Sequence, residues 1–222
     1  MEMHKLRCTK GLTLIEMSIV LVILGIVLTT LVKGGEILRS TQIKNLVQTQ
    51  NDLNQAVLMY REKYGYLPGD DSLATAHAGG SNGNGNSVIE EAERFLVFQH
   101  LMKAELITGS YDGTNLMKSS INTDIQIKNI NFVLPTLPSP VPVGYNYILS
   151  DGTAATPGIP AVVYLNLPYD VAQALETALD GPVASGTLTS SFLTGSVRAS
   201  KDYTAANGTI PFTYCALYPV SP

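Results

Sequence analysis

The sequence predicts an α+β fold in which a long N-terminal helix packs on an antiparallel β-sheet head with extra helices. Three observations predict it. Residues 12–32 form an apolar run of 21 residues with one charge, Glu16. After Lys33 the apolar positions step by three and four as far as Tyr64. Beyond Gly113 the texture changes to short segments rich in β-branched and aromatic residues, divided by Pro and Gly.

The apolar run comes first. At about 1.5 Å rise per residue it spans roughly the 30 Å hydrocarbon core of a bilayer. Lys5, Arg7 and Lys10 precede it, as in a secretory signal, yet no small-x-small cleavage site follows, and the chain continues TTLVKGGEILRS in a helical pattern. Those three basic residues are matched by Lys33, Arg39 and Lys44 on the other side, so charge leaves the orientation open. A charge at mid-membrane costs on the order of 3 kcal/mol and less near an interface, so Glu16 is either tolerated at the edge or placed there for a partner. As a first-turn carboxylate it is also favoured by the helix dipole, by under about 1 kcal/mol.

The amphipathic continuation follows. Ile43, Leu46, Gln50, Leu53, Val57, Tyr60 and Tyr64 form one stripe in which only Gln50 is polar, and Lys44, Asn51, Asp52, Arg61 and Glu62 lie opposite. Gly65 fits a C-cap, with Pro68 soon after. The helix is therefore expected from about Leu12 to Tyr64. Gly25, Gly34 and Gly35 lie within it, each costing about 1 kcal/mol relative to Ala.

The head begins with a polar loop, PGDDSLATAHAGGSNGNGNS, over residues 68–87. Asp70, Asp71, Asn82, Asn84, Asn86 and Glu90 are hard oxygen donors suited to calcium. An EF-hand would need alternating acids and a bidentate Glu, a charge that Asn-Gly-Asn-Gly lacks. Turn chemistry explains the same residues. Ser87 and Glu90 have capping-box spacing and are expected to open a helix through Ile89, Ala92, Phe95, Leu96, Leu101 and Ile107. Glu90, Glu91 and Glu93 suit its dipole, and His100 and His77, with no partner at ligand spacing, are expected to be structural. IQIKNINFVL, VGYNYIL, AVVYLNL and PFTYCALY are predicted strands, and TLPSPVPVG and TPGIPA loops. PYDVAQALETALDG is a predicted helix with Pro168 in its first turn, Val171, Leu175, Ala178 and Leu179 inward, and Gly181 at its end.

Composition narrows the function. The chain has 222 residues, 45% hydrophobic and 14% charged, with no Trp, which suits one membrane helix and one modest head. A net charge of −4 without a basic patch in the head gives no nucleic-acid footprint. There is no G-x-S-x-G, no paired His, and no nucleophilic Cys with a placed His.

The stretch Lys10-Gly11-Leu12-Thr13-Leu14-Ile15-Glu16, followed by its apolar helix, resembles the processing site of type IV prepilins and type II secretion pseudopilins. The resemblance implies a leader over residues 1–11, cut after Gly11 by prepilin peptidase. Leu12 becomes the new, N-methylated terminus, in place of the commoner Phe. It implies that Glu16 pairs with the terminal amine of a neighbouring subunit, as a device for register. Residues 12–33 are then a transmembrane and filament-core helix, 34–64 its amphipathic continuation, and 65–222 a globular pilin-like head. The implied partners are homologous subunits, the peptidase, an inner-membrane assembly platform and the lipid bilayer. The implied location is the bacterial inner membrane, single-pass with the head periplasmic, and then an envelope or cell-surface filament. The family often loosens its helix near a Pro when subunits pack; no Pro occurs here, and the glycines are candidates for that role. Related heads pin loops with calcium, while no other cofactor is implied.

KYGYLPGD, GNGN, FQHL and AELITGSYDG in that order are similar to a recurring set of bacterial prepilin-like proteins. Cys8 falls in the leader, which leaves Cys215 alone in the mature chain. This departs from the C-terminal disulfide of many type IV pilins, and with a head larger than that of the usual major pseudopilin it favours a minor or system-specific subunit, for which the resemblance implies no enzymatic chemistry. The alternative is a membrane-anchored exported enzyme or binding protein that uses the helix only as a tether.

Overall fold

The computed structural model describes residues 13–132, 149–181, 195–200 and 208–217, without the side chains of residues 30–33. Helix α1 runs Leu14–Tyr64, close to the expected bounds. It passes through Gly25, Gly34 and Gly35 without a break, and a Cβ at any of the three would meet nothing within 4 Å. It ends where Gly65, at φ 78, donates its N–H to the Arg61 carbonyl at 2.8 Å, the left-handed cap that glycine adopts without penalty. The chain forms two compact units, which divide between Thr41 and Gln42, inside α1.

The second unit contains α2 (Ala74–His77), α3 (Arg94–Lys103) and α4 (Tyr169–Leu179). Its strands are β1 (Met117–Lys118), β2 (Asp124–Asn131), β3 (Ser150–Asp151), β4 (Ile159–Pro168), β5 (Val197–Ala199) and β6 (Thr209–Ala216). They form one antiparallel sheet in the order β1-β2-β4-β6-β5, with β3 paired to the far end of β2. The α+β class and the helix-on-sheet arrangement are as expected. The outer edge of β2 is covered in three pieces: β1, the Ile89 carbonyl accepting from Asn129 N–H at 2.9 Å, and β3. This leaves little of that edge free to recruit another strand.

Alternation along the strands builds two apolar layers. Ile125, Ile127, Val162, Tyr164 and Cys215 join Leu46, Leu53, Val57 and Tyr60 of α1 with Phe98, Leu101, Val171 and Leu175. Ile130, Ala161, Val163 and Tyr214 form a second cluster with Leu149. Between the Leu165–Phe212 and Leu167–Ile210 pairs the alternation breaks at Asn166, whose φ is 54, and Leu167 and Ile210 return to the first layer. Pro211, lacking an N–H, sits in this interruption, where a ladder tolerates it.

Gln50, the polar member of the α1 stripe, is buried and accepts from the Tyr164 hydroxyl at 3.1 Å while donating to Asn54 Oδ1 at 3.1 Å. Tyr164→Phe is therefore expected to destabilise the head by about 1–3 kcal/mol, because a buried acceptor loses its donor. Denaturant unfolding of the variant beside the parent checks this.

Several expectations are corrected. The Ser87–Glu90 box does not form: Ser87 adopts φ 68, and the helix begins at Arg94 and ends at Lys103. Glu93 supplies the reciprocal bond instead, accepting from Glu90 N–H at 3.1 Å, so Ile89 and Ala92 precede the helix and Ile107 follows it. In α4 Ala172 and Glu176 are buried and Ala178 is exposed, while Pro168 is the N-cap. TPGIPA is only half a loop, since β4 starts at Ile159 and takes Pro160 opposite Asn129. The short strands β1 and β5 are additional. Cys8, TLPSPVPVG and all of VGYNYIL except Leu149 lie outside the described residues.

Candidate functional site

The sequence places the candidate functional residues at the start of α1. Gly11 and Leu12 lie outside the described residues, and Thr13 is the first described. Thr13 and Glu16 form a reciprocal cap. Glu16 Oε2 accepts from Thr13 N–H at 2.7 Å and from Thr13 Oγ1 at 2.8 Å, while Glu16 N–H donates to Thr13 Oγ1 at 3.3 Å. Both partners satisfy donors that a helix N-terminus leaves open, the physical content of a capping box. The signal is legible as T-x-x-E, three residues apart, and reading Glu16 only as a dipole residue or amine partner passes over it.

Beyond the cap, every described residue from Leu14 to Thr29 is exposed, and Leu14, Ile15, Leu21, Val22 and Leu28 are among the large apolar side chains so presented. The hydroxyls of Ser18 and Thr29 are tied back to the helix. Ser18 Oγ donates to the Ile15 carbonyl at 2.8 Å and Thr29 Oγ1 to the Gly25 carbonyl at 2.8 Å. A helix apolar all round with its side-chain donors internally satisfied suits an apolar medium, where an orphaned polar group costs several kcal/mol. Among the described residues, α1 is the helix long and apolar enough to cross a bilayer.

The head carries a second polar constellation, between Gly69 and His100. Asp70 is buried and accepts from Asn86 N–H at Oδ1 and Ser87 N–H at Oδ2, each at 2.8 Å. Asp71 is buried and accepts from Leu73 N–H at Oδ1, and from the Tyr60 hydroxyl and His77 Nδ1 at Oδ2, all at 2.8 Å. Glu93 takes Asn84 N–H at 2.8 Å. Burial holds the carboxyls of Asp70 and Glu93 above the usual carboxylate range, against the backbone N–H groups that pull them down. Burial also pushes Asp71 up, but the hydrogen bonds from His77, Leu73 and Tyr60 together leave it below that range.

These bonds bear on the calcium donor set. The oxygens of Asp70, Asp71, Asn82, Asn84 and Asn86 already accept from N–H and O–H groups. Glu90 takes the Asn86 amide at 3.0 Å. Among the described residues no group of three His, Cys, Asp or Glu is placed to hold a metal. The residues are thus used as turn chemistry uses them, tying a glycine-rich loop through its own backbone donors.

Among the described residues the head also holds a cleft and a buried thiol. A cleft of about 460 Å³ is lined by Thr49, Asp52, Leu53, Met59, Glu105 and Ile107 among others, with no histidine or cysteine in its wall. Cys215 is a free thiol at 1% exposure, and burial pushes it well above its ordinary range, which leaves it an inert core group.

No curated protein and no solved structure matches the chain. The prokaryotic N-terminal methylation motif matches residues 6–32, so the chain carries the prepilin-type cleavage and methylation signal at the start of an α+β, pilin-like architecture.

Proposed function

We propose that this protein is a structural subunit, minor or system-specific, of a type IV pilus or a type II secretion pseudopilus. The observation that carries the reading is the motif at residues 6–32, which takes in the apolar start of α1 and the carboxylate in its first turn. In this reading prepilin peptidase cuts after Gly11, and Leu12 becomes a methylated amine. Residues 12–33 first sit in the inner membrane and then, with the assembly platform's help, in the filament core. Residues 34–64 continue that helix onto the head, 65–222, which faces the periplasm. The chain performs no chemistry of its own. Extraction from the bilayer is offset by apolar packing among neighbouring copies of α1, and Glu16 meets the Leu12 amine of a neighbour.

The test is the intact mass and N-terminal peptide of the membrane-extracted protein from a host with a working prepilin peptidase. A start at Leu12 bearing one extra methyl is expected. A chain that still begins at Met1 would make α1 a plain anchor and return the question to the head.

A further inference from the structure

The loop from Gly69 to Ser87 is fastened to the head through an imidazole. His100, fully buried on α3, accepts from Gly69 N–H at Nδ1, 2.9 Å away. Because that nitrogen receives a hydrogen bond it carries no proton, so the neutral ring holds its proton on Nε2 and donates it to the Ser81 carbonyl at 2.6 Å. One ring thus ties both arms of the loop. It stacks on Tyr60, with ring centroids 5.9 Å apart and planes inclined by 17°. On another side a Cβ at Gly80 would come within 2.8 Å of His100 Cδ2, so the backbone closes over the ring.

We propose that His100 is an acid-released latch: protonation of Nδ1 sets an N–H against the Gly69 N–H and frees the 69–87 loop, while the sheet stays folded. Turning the ring over would put a carbon where the Gly69 amide needs an acceptor. Relief comes by letting the loop go.

The groups facing His100 fix the pH window. From α1 it meets the Tyr60 phenol, which burial and then Asp71 hold in its O–H form. From the loop it feels the Asp71 carboxylate, which favours the imidazolium, but burial outweighs this and holds the His100 pKa below its ordinary value. Asp71 is itself bound by Tyr60, His77 and Leu73 N–H. A histidine with a lowered folded pKa contributes stability that is fully present above its unfolded pKa of about 6.5, and this is lost as pH falls from there toward the folded value. Asp70 and Glu93 act in the opposite sense. Their raised pKa values mean that the folded state holds their protons better, so acidification through their range favours the closed loop. The opening therefore begins in the histidine window.

The experiment is amide hydrogen exchange on the whole membrane-extracted protein in detergent, corrected for intrinsic rates. The probes are Gly69, Gly83, Gly85, Asn86 and Ser87, whose N–H groups close the loop. Their protection should fall by up to about tenfold per pH unit below about 6.5, while the sheet amides Gln126 and Val163, which face each other across β2 and β4, hold theirs. His100→Gln, which offers an acceptor and a donor but no titrating group, should flatten this dependence. His77→Asn should leave it in place. In the parent protein the His100 ring nitrogens should report the Nε2–H tautomer at neutral pH and titrate in step with loop opening, a readout that stands even where the Gln variant does not fold. Four results would overturn the proposal: flat protection in the parent, a slope that survives His100→Gln, a slope that vanishes in His77→Asn, or parallel loss in the sheet.

Discussion

Glu16→Ala is expected to abolish filament assembly while leaving membrane insertion intact. Two separate roles meet in this side chain. Within the chain it closes the helix terminus through Thr13, with bonds of 2.7 and 2.8 Å. Loss of such a cap costs about 1 kcal/mol, small beside the transfer of a long apolar run into lipid. Between chains, in the function proposed above, the carboxylate meets an amine inside an apolar bundle, where stranding either charge costs about 3–5 kcal/mol per contact. Glu16→Gln separates the roles, because Gln also completes a capping box but carries no charge. Sheared-filament and membrane fractions, blotted side by side, provide the measurement. Both variants should insert and neither should assemble. A Gln variant that assembles normally would reduce Glu16 to a cap, and insertion failing together with assembly would refute the registry role.

The same four-residue spacing occurs twice in this chain and folds once, which shows where sequence reading reaches its limit. Thr13-x-x-Glu16 forms its box from its own two side chains, with both reciprocal bonds in place. Ser87-x-x-Glu90 does not, because Ser87 N–H is taken by Asp70, a buried carboxylate 17 positions earlier. Long-range acceptors override a local signal, and no periodicity marks them. The α1 stripe was legible for the opposite reason: Leu46, Leu53, Val57 and Tyr60 follow one helical period over many turns, and all are buried. The central strands β2, β4 and β6 were legible as β-branched runs. Strands as short as β1 and β5 carry no period of their own and exist through their pairing with β2 and β6. Of the candidate site, the carboxylate and the apolar helix could be read directly. The role of His100 could not, since its partners are a backbone N–H and a backbone carbonyl, which leave no trace in residue type.

Replacing Tyr60 should have the largest effect on the stability of the head. Its ring is fully buried, 4.7 Å from the Tyr64 ring by centroids and stacked on His100, and its hydroxyl donates to Asp71 at 2.8 Å. Tyr60→Ala removes an aromatic side chain from a packed core and leaves a cavity, a change that costs about 3–5 kcal/mol. Domains are commonly stable by about 5–15 kcal/mol, so a large part of the margin goes with this one side chain. At about 2–4 °C per kcal/mol for a domain of this size, the melting temperature should drop by roughly 6–20 °C. Tyr60→Phe keeps the ring and withdraws one donor from an ionised, buried Asp71, which retains His77 and Leu73 N–H; a loss of about 1–3 kcal/mol is expected. Thermal and denaturant unfolding of the two variants in parallel distinguishes packing from hydrogen bonding. A Phe variant as damaged as the Ala variant would place the energy in the hydroxyl and its carboxylate partner. Two nearly silent variants would show that α1 is not what fastens the loop, and the core assignment of Tyr60 would fail with it.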